Sequence, residues 1–328
     1  MKQYLQVLLQ NHTLSSEEAK EALLRIGRGE SNQSQIAAFL MGIQMRGVTV
    51  EELEGFQQAM LELAVSIDLT DFDPMDVCGT GGDGKDTFNI STTSAFVVAG
   101  AGQPIAKHGN HGVSSAVGSS TVLEYLGVKF TNDEGFLKRK LETAGICYMH
   151  APLFHPAMKY VAPIRKELGL KTFFNMLGPL LNPAKVQKQL TGVYDMKVFD
   201  LYTQLFNRSA AQFGIIYDLG GYDEISFTND FNIGTRHGVV VHSPTHFSFD
   251  LTEQSALHGG NTLEESAGIL INILENKGTA AQTNVVLANA GVALSVARGT
   301  SIAEGIEQAK ESLASKKALN ALRKLIED

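Results

Sequence analysis

The alternation of short apolar runs with helical segments after Asp73 constrains the fold most strongly. The β-like runs MDVCG, QPIAKHG, VKF and ICYMHAP are separated by segments with helical spacing, at 91–100, 114–126 and 134–144. Beyond Pro183, the runs LTGVY, FGIIYDL and GVVVHS continue the pattern, and the chain is helical from Thr262 onward. Because such alternation is typical of a sheet with helices on its faces, we predict an α/β domain over residues 73–328.

The first 70 residues predict a separate helical domain. Ser15 with Glu18, and Thr49 with Glu52, have the spacing of a capping box, in which side chains satisfy the free N–H groups of the first helical turn. Apolar residues recur at helical spacing behind both signals. The predicted helices span 16–26, 33–46 and 50–65.

One flank of the second of these three helices is apolar around Leu40, Ile43 and Met45, next to Gln44. Packing of the helices against one another explains this flank. The alternative is that the helical domain also buries a face against a partner.

Composition restricts the classes of function. The chain has 328 residues, of which 44% are hydrophobic and 19% charged, as in ordinary globular proteins. Its net charge of −8 disfavours nucleic-acid binding, which requires a basic face. Cys78 and Cys147 give neither a disulfide framework nor a metal-ligand spacing. We find no signal peptide and no apolar stretch near the roughly 20 residues of a membrane helix, so we expect a cytoplasmic protein that does not bind membranes.

A glycine-rich segment, GTGGDGK at 79–85, follows the predicted strand MDVC. It matches the dinucleotide-binding and P-loop patterns only superficially. A P-loop requires Ser or Thr after Lys85, where Asp86 stands, and a dinucleotide site requires an acid about 20 residues later, where this chain has Lys107 and His108. Glycines nevertheless bring backbone N–H groups close to an anion, and Ser91 and Thr92 stand at a helix start that favours one. We interpret the segment as an anion loop; the alternative is a tight turn without a ligand.

A second polar segment, KHGNHGVSS at 107–115, also follows a strand and precedes a helix. It carries the cation of Lys107 together with His108, Asn110 and His111. Single histidines are common in cores and on surfaces, but this grouping between glycines predicts a second wall of an anion site.

Two further groups have chemistry that fits such a site. Asp223 and Glu224 are adjacent carboxylates after a strand, and Mg²⁺ typically binds one or two carboxylates together with substrate phosphates. A solvated acidic turn is the alternative for this pair. Arg165 could bind a carboxylate through two hydrogen bonds or form a structural ion pair.

In order along the chain, GTGGDGKDTFNIST, KHGN with SS, GS and LE.LGV, HPAMK.VAP.RKELG, TFFN.LGPL.NPA and DEIS resemble the anthranilate phosphoribosyltransferases. The resemblance runs from about Asp76 to Ser226 and also fits the helical N-terminal region. It implies a small helical domain joined by part of 164–183, a larger α/β domain with a central mixed sheet, and a homodimer formed through the helical domain. The implied activity is Mg²⁺-dependent transfer of a phosphoribosyl group from phosphoribosyl pyrophosphate (PRPP) to anthranilate, in tryptophan biosynthesis, with two ions expected.

The resemblance also assigns site residues. Anthranilate would contact Gly79, Asn110 and Arg165, and magnesium would be held by Ser91, Asp223 and Glu224. Lys107 would support the transition state, and no residue is expected to act as general acid or base. The PRPP site would comprise Gly79, Gly82, Asp83, Thr87, Asn89, Ile90, Ser91, Thr92, Lys107, His108, Gly109, Asn110, His111, Gly112, Val113, Ser114, Ser115 and Ser119.

The chain departs from the family pattern at several positions. His111 and Lys171 stand where the family often has Arg, and Ser120-Thr121 replaces Ala-Asp. Tyr217-Asp218 replaces a His-Gly pair upstream of the acidic residues. These changes leave the roles of His111 and Lys171 open.

Two rival functions remain at this stage. A nucleoside phosphorylase of similar architecture would bind ribose and phosphate without the acidic pair or Arg165. A non-catalytic nucleic-acid-binding relative would need a basic groove, against which the net charge and the intact acidic pair argue.

Overall fold

The chain divides into a helical unit and an α/β unit in the computed structural model, which describes residues 1–112 and 117–327. The helical unit comprises Met1–Ile67 and Ala151–Lys185. The α/β unit comprises Asp68–His150 and Val186–Asp328. The predicted fold class, a helical domain followed by a larger α/β domain with a mixed sheet, is confirmed.

The secondary structure of the described residues is as follows. The strands are β1 (Met75–Gly79), β2 (Ile105–Gly109), β3 (Ile146–His150), β4 (Lys188–Gly192), β5 (Gln212–Asp218), β6 (Phe231–Thr235) and β7 (Gly238–His242). The helices are α1 (Lys2–Leu9), α2 (Ser16–Gly27), α3 (Gln33–Arg46), α4 (Val50–Glu62), α5 (Ile90–Gly100), α6 (Ser119–Tyr125), α7 (Glu134–Ala144), α8 (Ala151–Phe154), α9 (Ala162–Leu168), α10 (Phe174–Leu177), α11 (Met196–Asn207), α12 (Leu263–Leu274), α13 (Ala280–Arg298), α14 (Ile302–Ala314) and α15 (Lys317–Ile326). Short 3₁₀ helices lie at Thr70–Phe72, Pro156–Tyr160, Gly178–Leu180, Pro244–Phe247 and Gln254–Leu257.

The helical unit is organised by its caps and an aromatic core. Both predicted capping boxes are present, at the starts of α2 and α4. Phe39 and Phe56 pack edge to face, and Phe56 stacks on Phe173 with ring centroids 4.2 Å apart. Leu40 and Ile43 are fully buried, so this part of the apolar flank packs inside the protein, whereas Met45 is 84% exposed.

The sheet of the α/β unit has the strand order β3-β2-β1-β4-β5-β6-β7. Neighbouring strands are parallel from β3 to β5, and β6 and β7 extend the sheet antiparallel. The chain builds outward from β1 through β2 to β3 and then returns to place β4 on the other side of β1. This reversal makes the carboxyl ends of β1 and β4 a topological switch point, where open α/β sheets bind ligands.

Helices α5 and α13 fill one side of this sheet. Every residue of α5 from Thr92 to Ala99 is buried, and Val285–Leu294 of α13 are buried as well. At 19 residues α13 is long and apolar enough to cross a membrane, contrary to the sequence expectation that no stretch approaches that length. Most of it is buried within the protein, as in the core helix of a globular domain.

Two local predictions were wrong, and one strand was missed. The run VKF at 128–130 is not a strand: the N–H of Val128 instead donates to the carbonyl of Leu123 and closes the end of α6. The strand β6 was not predicted. The C-terminal segment was expected to be a solvated helix, yet Lys316 at φ 61° separates α14 from α15, and Leu319, Leu322 and others on α15 are core residues.

Candidate functional site

The switch point brings the acidic pair against the end of β1. Gly79 of β1 pairs with Gly192 of β4, and Asp223 lies over both. A Cβ at position 79 would collide with the Asp223 carboxylate, and one at position 192 would collide with the Asp223 carbonyl oxygen. The two glycines therefore leave the space in which Asp223 reaches the sheet edge.

The acidic pair is tied to the glycine segment and to the start of α5. The N–H of Gly81 donates to Oδ2 of Asp223 at 2.6 Å, and the N–H of Ser91 donates to Oε1 of Glu224 at 2.7 Å. Burial, and then the charge of Asp83, raise the pKa of Asp223 to about 7. Burial, and then the charge of Asp223, raise the pKa of Glu224. Three carboxylates thus converge on one place, an arrangement that a cation would stabilise.

Two buried side chains that were not among the predicted site residues brace the acidic loop, residues 219–226. Asn289 of α13 accepts from the N–H of Ile225 at 3.1 Å and donates to the carbonyl of Ile225 at 2.9 Å. Asp218, at the end of β5, accepts from the N–H and hydroxyl of Ser226 at 3.1 and 2.6 Å and from the N–H of Gly220 at 2.8 Å. Burial raises the pKa of Asp218 to about 6. For Asp218 the available signal was its departure from the family pattern; Asn289, within an apolar helix, offered none beyond its polarity.

The residues between the glycine segment and α5 include predicted site residues. Thr87 forms a β-bridge with His258, and the side chain of Asn89 donates to the carbonyl of Val117 at 3.1 Å. Ile90 and Thr92 are buried, whereas Gly82, Asp83 and Ser91 are partly exposed.

Lys107 and His108 point to opposite faces of the sheet because they are consecutive residues of β2. Lys107 is 2% exposed, and its ammonium group donates to the carbonyl of Val77. His108 is buried on the other face, with Nδ1 2.6 Å from Oδ2 of Asp76. Their assignment to one PRPP site stays a prediction.

Gly109 ends β2; Asn110, His111 and Gly112 then form a loop without helix or strand, and Ser119 begins α6. Asn110 and His111 are exposed, and the side chain of Asn110 accepts from the N–H of His111 at 2.8 Å. Nδ1 of His111 lies 3.1 Å from Oγ1 of Thr121. The predicted site residues Val113, Ser114 and Ser115 lie outside the described residues.

Arg165 belongs to the helical unit, on α9. Its guanidinium donates to Oδ1 of Asn175 at 3.2 Å and lies over the ring of Phe174, 5.4 Å from the centroid. Within the described residues no carboxylate pairs with it, and its buried Nε has no hydrogen-bond partner. The structural ion pair considered from the sequence is therefore absent there, and burial lowers the pKa of this arginine.

Both parts of the chain match domains of one class of protein. Residues 2–64 match the helical bundle domain, and residues 72–319 the a/b domain, of a glycosyl transferase family.

Individual relatives narrow this class. The chain is 52% identical over 327 residues to the anthranilate phosphoribosyltransferase of Flavobacterium johnsoniae, covering 100% of this chain and 99% of the relative. It is 48% identical to that of Bacteroides thetaiotaomicron, again covering 100% and 99%. The crystal structure of the Thermus thermophilus enzyme matches with a TM-score of 0.93 at 31% identity, covering 98% of both chains. The Saccharomyces cerevisiae enzyme in complex with PRPP and Mg matches with a TM-score of 0.91 at 28% identity, covering 99% and 96%. The chain belongs to the anthranilate phosphoribosyltransferase family.

Proposed function

We propose that the chain transfers the phosphoribosyl group of PRPP to the amine of anthranilate and releases pyrophosphate, the second step from chorismate to tryptophan. The observation that carries this proposal is the position of Asp223 and Glu224. Both hydrogen-bond to the glycine segment or the α5 start at the switch point, in a chain about half identical to anthranilate phosphoribosyltransferases. A nucleoside phosphorylase would have no use for this pair.

Magnesium is the proposed cofactor, with two ions expected, held by Asp223, Glu224 and Ser91. The fit rests on donor chemistry, because the hard oxygens of Asp223 and Glu224 converge beside a segment of backbone N–H groups. Burial raises the pKa of both carboxyl groups, with the charge of Asp83 adding to the shift of Asp223 and the charge of Asp223 adding to that of Glu224. When bound, the metal neutralises negative charge that grows on the departing pyrophosphate. In the relatives, the Saccharomyces cerevisiae structure contains PRPP and Mg.

The protein's own contribution is mainly positioning. The backbone N–H groups of 79–92 and the loop after β2 would hold the phosphates, so that ribose C1 faces the amine of anthranilate. Lys107 would stabilise the pyrophosphate as C1 develops oxocarbenium character and inverts. An aromatic amine is neutral at pH 7, so the reaction needs no strong general base.

Arg165 is the proposed anthranilate anchor, together with Gly79 and Asn110. A guanidinium binds a carboxylate through two parallel hydrogen bonds, and Arg165 retains a buried Nε for which the described residues provide no acceptor.

We also propose a cytoplasmic homodimer that associates through the helical unit. Two large apolar side chains of that unit are strongly exposed, Leu9 at 85% and Met45 at 84%. Contact with a second copy would remove such side chains from water. Sedimentation of the protein at micromolar concentration tests this: a monomer would refute the dimer.

The decisive experiment follows the loss of anthranilate fluorescence with PRPP, with magnesium and with excess chelator. We expect loss only with magnesium. Turnover that survives chelation would refute the metal assignment. If folded protein shows no turnover, the substrate pair is wrong, and phosphorolysis of nucleosides would be assayed next.

The anthranilate assignment is tested with Arg165→Ala. We expect the KM for anthranilate to rise roughly 10-fold or more and the KM for PRPP to change little, because a charged hydrogen bond contributes about 1.5–3 kcal/mol. Arg28→Ala, which removes an exposed arginine on the helical unit, is the matched control. Equal increases in both KM values would refute the role of Arg165.

A further inference from the structure

A series of hydrogen bonds, called here the hydrogen-bond chain, connects β3 to the loop after β2. Nδ1 of His150 lies 2.8 Å from Oγ of Ser120, and that oxygen lies 2.7 Å from the hydroxyl of Tyr148. The Tyr148 hydroxyl lies 2.9 Å from Oγ of Ser119, which donates to the carbonyl of Asn110 at 3.4 Å. Two residues of β3 are thus connected through the first turn of α6 to the loop.

The direction of this chain follows from its last acceptor. A carbonyl oxygen can only accept, so the single proton of Ser119 points to Asn110. For all four contacts to be hydrogen bonds, Tyr148 must then donate to Ser119, and Ser120 must donate to Tyr148. His150 is left to donate to Ser120 through a protonated Nδ1. Each hydroxyl donates once and accepts once, an arrangement in which neighbouring bonds strengthen one another.

Packing around the chain keeps its members in place. Ser120, Tyr148 and His150 are buried, and the His150 ring stacks on Phe130 with centroids 4.8 Å apart. A Cβ at Gly109 would collide with Oγ of Ser119 and approach the Tyr148 hydroxyl, so the loop begins in direct contact with the chain. The N–H of Ser120 also donates to the carbonyl of Asn110 at 3.2 Å.

The hydrogen-bond chain also explains part of the difference from the family pattern at positions 111, 120 and 121. The rings of His111 and His150 pack edge to face with centroids 4.8 Å apart, and Nδ1 of His111 lies 3.1 Å from Oγ1 of Thr121. Burial, and then the charge of His111, lower the pKa of His150, while Glu124 opposes this. The hydrogen-bond order above requires a proton on Nδ1 of His150, and the lowered pKa favours the neutral Nδ1–H tautomer as its donor.

We propose that Tyr148 and His150 are positioning residues that fix the backbone of Asn110, and with it the phosphate-binding loop, through Ser120 and Ser119. Neither touches the reacting atoms; they act by holding the loop in the shape that binds PRPP. The inference rests on the proposed function, because it takes residues 109–112 to be part of the PRPP site.

The test compares Tyr148→Phe and His150→Phe with the wild type. Tyr148→Phe removes only the hydroxyl; His150→Phe keeps an aromatic ring next to Phe130 but removes both ring nitrogens and enlarges the ring. We expect the KM for PRPP to rise about 3- to 10-fold in each, the range of one net hydrogen bond, with kcat within about twofold; the KM for anthranilate should rise less than that for PRPP, because Arg165 still anchors anthranilate. Binding of magnesium pyrophosphate, measured by calorimetry, weakens by a similar factor.

Two comparisons make the test decisive. Tyr202→Phe removes the hydroxyl of another fully buried tyrosine, on α11, and leaves the KM for PRPP unchanged. Adding Ser120→Ala to Tyr148→Phe produces less than the product of the single effects, because both break one chain. If the variants lower only the melting temperature and leave the KM values unchanged, the hydrogen-bond chain has a structural role alone and the inference is wrong. Absence of turnover in the wild type would instead overturn the proposed function.

Discussion

The loops after β1 and β2 lie at neighbouring strand ends but are held in place by different physics. The end of β1 is met by Asp223 and Glu224 from the segment between β5 and β6; burial raises the pKa values of both carboxylates, and Asn289 and Asp218 brace their segment. The loop after β2 is braced by neutral hydroxyls and an imidazole. The first arrangement places negative charge where a cation would stabilise it; the second keeps the backbone in shape without adding charge. The comparison predicts that variants near β1 respond to metal and pH, whereas those near β2 change affinity alone.

The largest effect should come from removing the charge that Asp223 and Glu224 place against the end of β1. Asp223→Asn with Glu224→Gln is expected to lower kcat by roughly a thousandfold or more, because the metal loses its carboxylates. Since burial disfavours both charges, the metal-free variant should unfold at a temperature no lower than that of the wild type at pH 8. Asp250→Asn with Glu253→Gln, an exposed acidic pair, is the control. Near-normal turnover in Asp223→Asn with Glu224→Gln would refute the proposal that these two charges act in catalysis.

A smaller loss should follow removal of the brace on α13. Asn289→Ala leaves the buried N–H of Ile225 without its acceptor, so we expect the free energy of unfolding to fall by about 1–3 kcal/mol. Because the acidic pair would lose its fixed position, kcat should fall more than either KM rises. Asn272→Ala, at an exposed site on α12, controls for a lost helical asparagine. If destabilisation leaves kcat intact, Asn289 braces the fold and not the site.

The smallest effect is the pH dependence expected of Asp218. Its pKa of about 6 in the folded protein exceeds the ordinary value near 4, so the folded state binds a proton that the unfolded state lacks between these values. The free energy of unfolding should therefore rise as pH falls through about 6 and level off below about 4. Urea titrations from pH 4 to 8 should show a smaller rise in Asp218→Asn than in the wild type, because Asp223 and Glu224, whose pKa values burial also raises, still contribute in the variant. If the free energies of unfolding of the wild type and Asp218→Asn vary in parallel with pH, burial does not raise the pKa of Asp218. Tyr148→Phe should keep the wild-type slope.

The sequence predicted those parts of the fold that local signals determine. The caps at Ser15 and Thr49, the strand at 75–79 and the helix at 134–144 follow from turn chemistry and periodicity, and the structure contains each of them. The strand β6 was missed, and VKF was misassigned, because a run of three or five residues becomes a strand only if a neighbour pairs with it. The pairing that decides this is tertiary.

The candidate site shows the same division. Motif order pointed to the glycine segment and the acidic pair, and the structure brings both to one switch point. It could not point to Asn289, which is 64 residues beyond Ile225 and meets it only after folding. Nor could it show that Lys107 and His108 diverge, since that depends on their both lying inside β2.

The position of Asn289 also bears on when the protein becomes active during its synthesis. The glycine segment and the acidic loop both leave the ribosome before Asn289, the side chain that fixes Ile225, emerges with α13. Helix α15 later supplies core side chains such as Leu319 and Leu322. A nascent or truncated chain that ends before residue 280 contains the proposed metal carboxylates without their brace. Such a chain would carry unneutralised, unsupported acid groups, so catalytic competence should arrive with the last helices and not gradually along the chain.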